Sequence, residues 1–260
     1  MPEIEFRNIS KLYENVEGDE TTALKDINLT VKDGEFVCIL GPSGCGKSTL
    51  LEIAAGLLTH SKGEILLDGR LQSGTSRDIG VVFQDSSLFP WRSIRKNIEF
   101  GLEVAKADKS MREQKVQEAI ELVGLSGFEN KYPHQLSGGM RQRAGIARTL
   151  VNDPKCILMD EPFSAVDHLT RLTLQDEIIK IWQKEKKTIL FITHDVSEAV
   201  YLANRVVLLT PRPGRIQRIF DVPYEWPRNR NNPALLEIIE KIYKCLNDPE
   251  GKEEELEYII

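Results

Sequence analysis

Two weakly alternating stretches open the chain over residues 3 to about 32, Ile4 and Phe6, then Leu24, Ile27, Leu29 and Val31. Alternation of period two predicts antiparallel strands with one wet face. The polar, acidic residues from Asn15 to Thr22 predict a loop between them, with Tyr13 just before it. Phe36-Val37-Cys38-Ile39-Leu40 is apolar without a break, the pattern of a strand covered on both faces. The same reasoning predicts strands at Gly63–Gly69, Ile79–Phe83, Cys156–Met159, Thr188–Thr193 and Arg205–Leu209. From about Asp85 to Asp153 the apolar positions take helical spacing. Ser110-Met111-Arg112-Glu113 reads as a capping box, opening a helix with Met111, Val116, Ile120 and Val123 on one face and Gly124 as its stop. Ser137-Gly138-Gly139 precedes a second run with Met140, Ala144, Ala147 and Leu150. A third, from Asp167 to about Lys186, carries Leu172, Ile178, Ile179 and Trp182. Pro211–Arg215 reads as a turn. Asn232-Pro233 suits the start of a last helix with Leu235, Leu236, Ile238, Ile239, Ile242 and Leu246. The acidic residues that end the chain read as a solvated tail, with a regulatory tail as the sharper alternative.

One stretch gives this pattern a chemistry. Gly41-Pro42-Ser43-Gly44-Cys45-Gly46-Lys47-Ser48-Thr49 fits Gly-x4-Gly-Lys-Ser/Thr, and it stands between an apolar strand and a helix start, Ser48 to Ala55. Backbone N–H groups at a helix N-terminus, with the positive end of its dipole, make an anion site. Glycine lets the backbone approach phosphate closely. Lys47 adds a point charge for the outer phosphates, and the Ser48 hydroxyl is placed to ligate Mg²⁺. The stretch therefore predicts a nucleoside triphosphate site.

Four apolar strands end on polar groups: Leu40 on this loop, Phe83 on Gln84, Met159 on Asp160-Glu161, and Thr193 on His194. Ligands of open α/β sheets bind outside the carboxyl ends of the strands, so these sites should converge on one nucleotide. Asp160 suits Mg²⁺ coordination through ordered water. Glu161 is placed to polarise the attacking water. Gln84 is a candidate to hold water or Mg²⁺, and His194 to hydrogen-bond the γ-phosphate. His60, His134 and His168 read as structural. Leu136-Ser137-Gly138-Gly139-Met140 is a second anion-binding nest at a helix start. Two nests with one catalytic Glu suggest a site completed by a second subunit.

Composition narrows the class. Hydrophobic content of 41% and charged content of 28% are ordinary for a globular chain of 260 residues. A net charge of −6 argues against nucleic acid as the main partner. No apolar run approaches the ~20 residues of a membrane span, and Met1-Pro2-Glu3-Ile4-Glu5 lacks the pattern of a signal peptide, so a cytoplasmic protein is expected. Cys38, Cys45, Cys156 and Cys245 show no metal spacing. Cys45 lies among the phosphate-binding amides, where a lowered thiol pKa would favour reaction with alkylators, but a structural role is expected, because Ala, Ser or Cys would all fit there.

The order of these motifs, together with Ser164-Ala165-Val166-Asp167, resembles the ATP-binding cassette (ABC) ATPases over roughly residues 3 to 218. The resemblance implies an α/β fold: a phosphate-loop NTPase core with a mostly parallel sheet, an antiparallel β subdomain and an inserted helical subdomain. It implies an ATPase domain over 1–230, with the helical part at about 88–153, and a C-terminal helix and tail over 231–260. It further implies that Tyr13 stacks on adenine and that Ser137-Gly138-Gly139 of one copy closes over ATP held by the partner's phosphate loop in a head-to-tail dimer. Ser164 to Asp167 would be the dimer-crossing loop, and Gln84 would sense a membrane partner.

Leu88-Phe89-Pro90-Trp91, Asn97 to Leu102, Tyr132 to Leu136 and Leu209 to Ile216 resemble the importers of nitrate, sulfonate and taurine. Ser164 and Val166 depart from the commoner Gly and Leu. Large apolar residues in a loop also mark a partner site on physical grounds, unless the loop folds back on its own core. Integral permease subunits docking on the region Gln84–Gly101, with a solute-binding protein acting through them, are therefore expected. The ATPase would then sit on the inner face of the cell membrane. A soluble cassette ATPase acting on nucleic acid or ribosomes is the alternative. It usually carries two cassettes or a coiled-coil insertion, and this chain has one cassette and no heptads.

Overall fold

The computed structural model describes residues 3–14 and 20–247. Its centre is a six-stranded sheet built from β3 (Phe36–Leu40), β6 (Ile79–Val82), β7 (Cys156–Asp160), β8 (Thr188–Ile192), β9 (Arg205–Leu209) and β10 (Ile216–Asp221). The order is β10-β9-β3-β8-β7-β6, parallel throughout except for the β10–β9 pair. Every residue of β3, β7 and β8 is buried. The unbroken apolar runs have this cause, because successive side chains point to opposite faces and both faces are covered. Phe36, Cys38, Leu40, Ile157, Met159, Ile189 and Phe191 enter one core with the helices. Val37, Ile39, Cys156, Leu158, Leu190 and Ile192 enter a second core on the other face.

The second core is closed by α1 (Lys47–Ala54) and by a four-stranded antiparallel sheet. That sheet has the order β2-β1-β4-β5, from β1 (Ile4–Glu14), β2 (Glu20–Val31), β4 (Lys62–Leu67) and β5 (Arg70–Leu71). Ile4, Phe6, Ile9, Leu24, Ile27, Leu29 and Val31 all point into it, so the weak alternation in the sequence marks a one-sided sheet. Most of the loop expected over Asn15 to Thr22, and the acidic end of the chain, lie outside the described residues.

The first core is closed by α2 (Ile94–Val104), α3 (Lys109–Leu122), α4 (Gly138–Leu150), α5 (His168–Glu185), α6 (Val196–Leu202) and α7 (Pro233–Asn247). α2, α3 and α4 pack on one another, and α4 also packs on β6. The start of α3 corrects the expected capping box. Asp108 is the N-cap, its carboxylate accepting from Ser110 N and Met111 N. Ser110 lies inside the first turn and its hydroxyl donates to Asp108 at 2.6 Å. Val116, Ile120 and Val123 are buried as expected, whereas Met111 is exposed. At α7, Asn232 accepts from Ala234 N at 3.0 Å, as expected of a cap.

Candidate functional site

The parallel order β3-β8-β7-β6 sets four carboxyl ends side by side. The phosphate loop, His194, Asp160-Glu161 and Gln84 therefore share one edge of the sheet. At the first end, Gly46 is the N-cap of α1 with φ 102°, and no side chain caps the helix. A Cβ at Gly46 would stand 2.7 Å from Leu24 Cδ2 and 3.1 Å from Ala23 O, so only glycine fits. Gly44 also has a positive φ, 76°. Lys47 is 7% exposed, and its ammonium donates to Gly41 O at 2.8 Å and Pro42 O at 3.1 Å. Tyr13 reaches over from β1, its hydroxyl 3.5 Å from Thr49 Oγ1. Its ring is half-exposed, with Lys11 Nζ 5.0 Å from the centroid.

Asp160 ends β7 at 8% exposure. Burial raises its pKa; the Ser48 hydroxyl bonded to it and the Lys47 charge pull the other way, and Glu161 adds to the rise. Ser48 and Asp160 thus present two side-chain oxygens at one point. Glu161 follows with φ 43°, in the left-handed region that costs a non-glycine residue energy. Its N–H donates to Ile192 O at 3.0 Å. Glu161 Oε2 lies 3.1 Å from His194 Nδ1. Gln84 is exposed, two residues beyond Val82, which is level with Met159 where the β6–β7 pairing ends.

Ser137-Gly138-Gly139 stands apart from this group. α1 packs on β2, β7 and β8, whereas α4 packs on α2, α3 and β6. Ser137 caps α4, its hydroxyl accepting from Met140 N at 3.3 Å. Beside the two glycines lie Ala165 and Val166, close enough that a Cβ on Gly139 would be 3.3 Å from Ala165 O. One chain therefore holds the two nests on different elements. For Cys45 the lowered thiol pKa that its position would favour is not what the structure gives. The thiol is 1% exposed, and burial raises its pKa more than the Lys47 charge and nearby N–H groups lower it.

Comparison with known proteins bears on this arrangement. The family described as ABC transporter matches residues 24–164. An uncharacterized ABC transporter ATP-binding protein of Methanocaldococcus jannaschii is 52% identical over 94% of this chain and 91% of its own. The chain belongs to the ABC transporter family. An aliphatic sulfonates import ATP-binding protein of Bacillus licheniformis is 47% identical over 86% of this chain and 87% of its own. Among solved structures, a dimeric ATP-binding cassette in a post-hydrolysis state bound to ADP and Pi matches with a TM-score of 0.78. It is 33% identical over 85% of this chain and all of its own. The protein is an ABC ATPase with the expected α/β phosphate-loop fold.

This ABC ATPase holds its site with residues that pattern reading passed over. Gln142 on α4 is buried and donates to Phe83 O at 2.9 Å. Arg148, two turns on, donates to Ser87 O at 2.8 Å and Ser86 O at 3.0 Å. The helix that opens at Ser137 thus grips the backbone on both sides of Gln84. Behind His194, Thr193 donates to the buried Glu198, which also accepts from Gln175 Nε2 at 2.7 Å. Asp195 caps α6 by accepting from Glu198 N at 3.0 Å. Gln142 stands between Arg141 and Arg143, so no local pattern marks it as buried, and Glu198 is marked only as an acid four residues after His194.

Proposed function

We propose that this chain is the ATP-hydrolysing subunit of an importer for a small anionic solute of the nitrate, sulfonate or taurine kind. It would work on the inner face of the cell membrane, bound to separate permease subunits, with a solute-binding protein acting through them. The sulfonate-importing relative supports the subfamily. In this reading residues 1–230 are the ATPase, about 88–153 its helical part, and 231–260 a C-terminal addition.

The loop Gly41, Pro42, Ser43, Gly44, Cys45, Gly46, Lys47, Ser48 and Thr49 would bind the phosphates, with Tyr13 on adenine. Glu161 would polarise water, and His194 would orient that carboxylate and meet the γ-phosphate. Among the described residues no three His, Cys, Asp or Glu side chains form a metal cage. Ser48, Asp160 and Gln84 are oxygen donors, a set that suits Mg²⁺ shared with substrate phosphates. When bound there, Mg²⁺ would neutralise phosphate charge. A second copy, head to tail, would bring Ser137, Gly138 and Gly139 to the γ-phosphate, and the dimeric cassette among the structural relatives supports this arrangement.

The observation that carries the transport reading is the face beside Gln84. Among the described residues no helix is long and apolar enough to cross a membrane, and in this reading the permease is a separate chain. Leu88 packs on the core, while Trp91 is 72% exposed. Phe89 stacks edge-on with Phe100 at 4.7 Å and lies 5.6 Å from Trp91. Phe89, Phe100, Val104 and Arg148 line a groove of about 600 Å³. Buried Asn97 holds the loop that carries Phe89, accepting from Phe89 N at 2.7 Å and donating to the carbonyls of Phe89, Arg92 and Ser93. An apolar groove with an exposed tryptophan suits a short amphipathic helix of a permease. Phe89→Ala with Trp91→Ala should keep the ATPase activity of the isolated subunit and abolish co-purification with its membrane partner. Undiminished co-purification would remove this face from docking.

A further inference from the structure

The turn Thr210-Pro211-Arg212-Pro213-Gly214-Arg215 between β9 and β10 has no part in the site described so far, yet it is built against the outer side of the phosphate loop. Gly214 N donates to Ala23 O, and Gly214 O accepts from Lys25 N, both at 2.9 Å, so the turn is stitched to β2. The same glycine lies so close to the loop that a Cβ on it would meet Cys45 O at 2.0 Å. Within the turn, Thr210 Oγ1 donates to Pro213 O at 2.9 Å and accepts from Arg215 N at 3.0 Å. This shape presents Arg212. Its Nε donates to Gly44 O at 3.3 Å, and its Nη2 stands 3.8 Å from where a Cβ of Gly44 would be.

We propose that Arg212 is a positioning residue for nucleotide binding, a clamp on the outward carbonyl of Gly44. A loop that turns its N–H groups toward an anion turns carbonyls away from it, and a guanidinium on one of those carbonyls favours that orientation of the peptide. Gly44 and Gly46 also give the loop more conformational freedom than any other residues would. A clamp that restricts this freedom beforehand removes an ordering cost from binding. The loop backbone cradles phosphates that ADP and ATP have in common, so the clamp serves both ligands equally. The inference rests on the reading that Gly41–Thr49 holds the phosphates.

The test is equilibrium binding of ADP and of ATP to the full chain, by displacement of a fluorescent ADP derivative. Arg212 is exposed, so Arg212→Ala should leave the thermal midpoint unchanged. It should weaken ADP and ATP by the same factor, roughly three- to ten-fold, as expected for one charge-assisted hydrogen bond at a partly solvated site. Arg212→Lys keeps a cationic donor and should restore most of the affinity. Gly214→Ala, which must push the turn off Cys45, should reproduce the loss with Arg212 intact. Unchanged affinities in Arg212→Ala, or a loss confined to ATP, would overturn the clamp. Lys47→Ala separates the two readings. If it loses both nucleotides while Arg212→Ala loses neither, only the clamp fails. If Lys47→Ala binds like the wild type, the phosphate-loop reading fails with it.

Discussion

His194 Nδ1 and Glu161 Oε2 lie 3.1 Å apart, joining the residue after β7 to the second residue after β8. The sheet makes this contact. β7 and β8 are parallel neighbours with Asp160 level with Ile192, and the left-handed backbone at Glu161 is held by its N–H on Ile192 O. The carboxylate is thereby turned off the axis of β7 and toward β8. Asp160 stays behind beside Ser48. Two adjacent acids thus receive different neighbours and can serve different roles.

If Glu161 polarises water, Glu161→Gln keeps its size and its reach to His194 but loses the basic oxygen. ATP affinity should stay near wild type, and turnover should fall by about 10² or more, the scale of a lost general base. ATP-bound dimer should then accumulate on size-exclusion chromatography with ATP and Mg²⁺. Turnover within a few-fold of wild type would remove Glu161 from this role.

Glu198 gives a pH-dependent prediction for stability. Burial raises its pKa above the ordinary 4.5, and this outweighs the hydrogen bonds from Thr193 and Gln175. The folded state therefore holds a proton that the unfolded chain has already released. The stabilisation is complete below pH 4.5 and is lost as pH rises through the raised value. Glu198→Gln mimics the protonated form and has no such slope. Urea midpoints of wild type and variant should converge near pH 4.5, and the variant should gain relative to wild type as the pH rises toward 7. A difference that does not change with pH would show that folding leaves the Glu198 pKa where the unfolded chain has it.

The cysteines separate by position. Cys38, Cys45 and Cys156 are buried and Cys245 is partly exposed. Burial raises the thiol pKa of all three buried residues. Thiol titration of the native protein should therefore give one rapid equivalent, at Cys245, and four in denaturant. Rapid labelling of Cys45, located by peptide mapping, would show that the phosphate loop opens more readily than its packing implies.

That cysteine also marks where a sequence stops being informative. The loop, the strand ends and the acids at 160 and 161 are legible because spacing and apolar runs encode them locally. The pKa of Cys45 depends on what covers it, and Leu24 and Gly214, which pack on this loop, are far away in the chain. Glu198 reads as one more acid on a short helix until the fold places Gln175 and Thr193 against it. At α3, Asp108 and Ser110 are both competent caps two residues apart. Ala107 packs on the core, so the chain turns at Asp108, which local pattern alone could not decide.

The separation of the two nests leads to a test by mixing. In a head-to-tail dimer each ATP lies between Lys47 of one copy and Ser137 of the other. Combine a Lys47→Ala chain with a Ser137→Arg chain. In the mixed pair one site receives both lesions, because the first chain's phosphate loop faces the second chain's Ser137. The other site receives neither. If each chain built its site alone, every site would carry one lesion. ATP-driven association of the mixed pair should therefore exceed that of either variant by itself. Association is the better readout, because hydrolysis at one site can depend on the other. Ser137 caps α4 from an exposed position. Its replacement by Arg therefore costs about 1 kcal/mol of helix stability, too little to unfold a domain of this size. The bulky cation instead stands where N–H groups must meet the phosphate, so it blocks closure. Absence of rescue, with both chains folded and exchanging partners, would count against a site shared in trans.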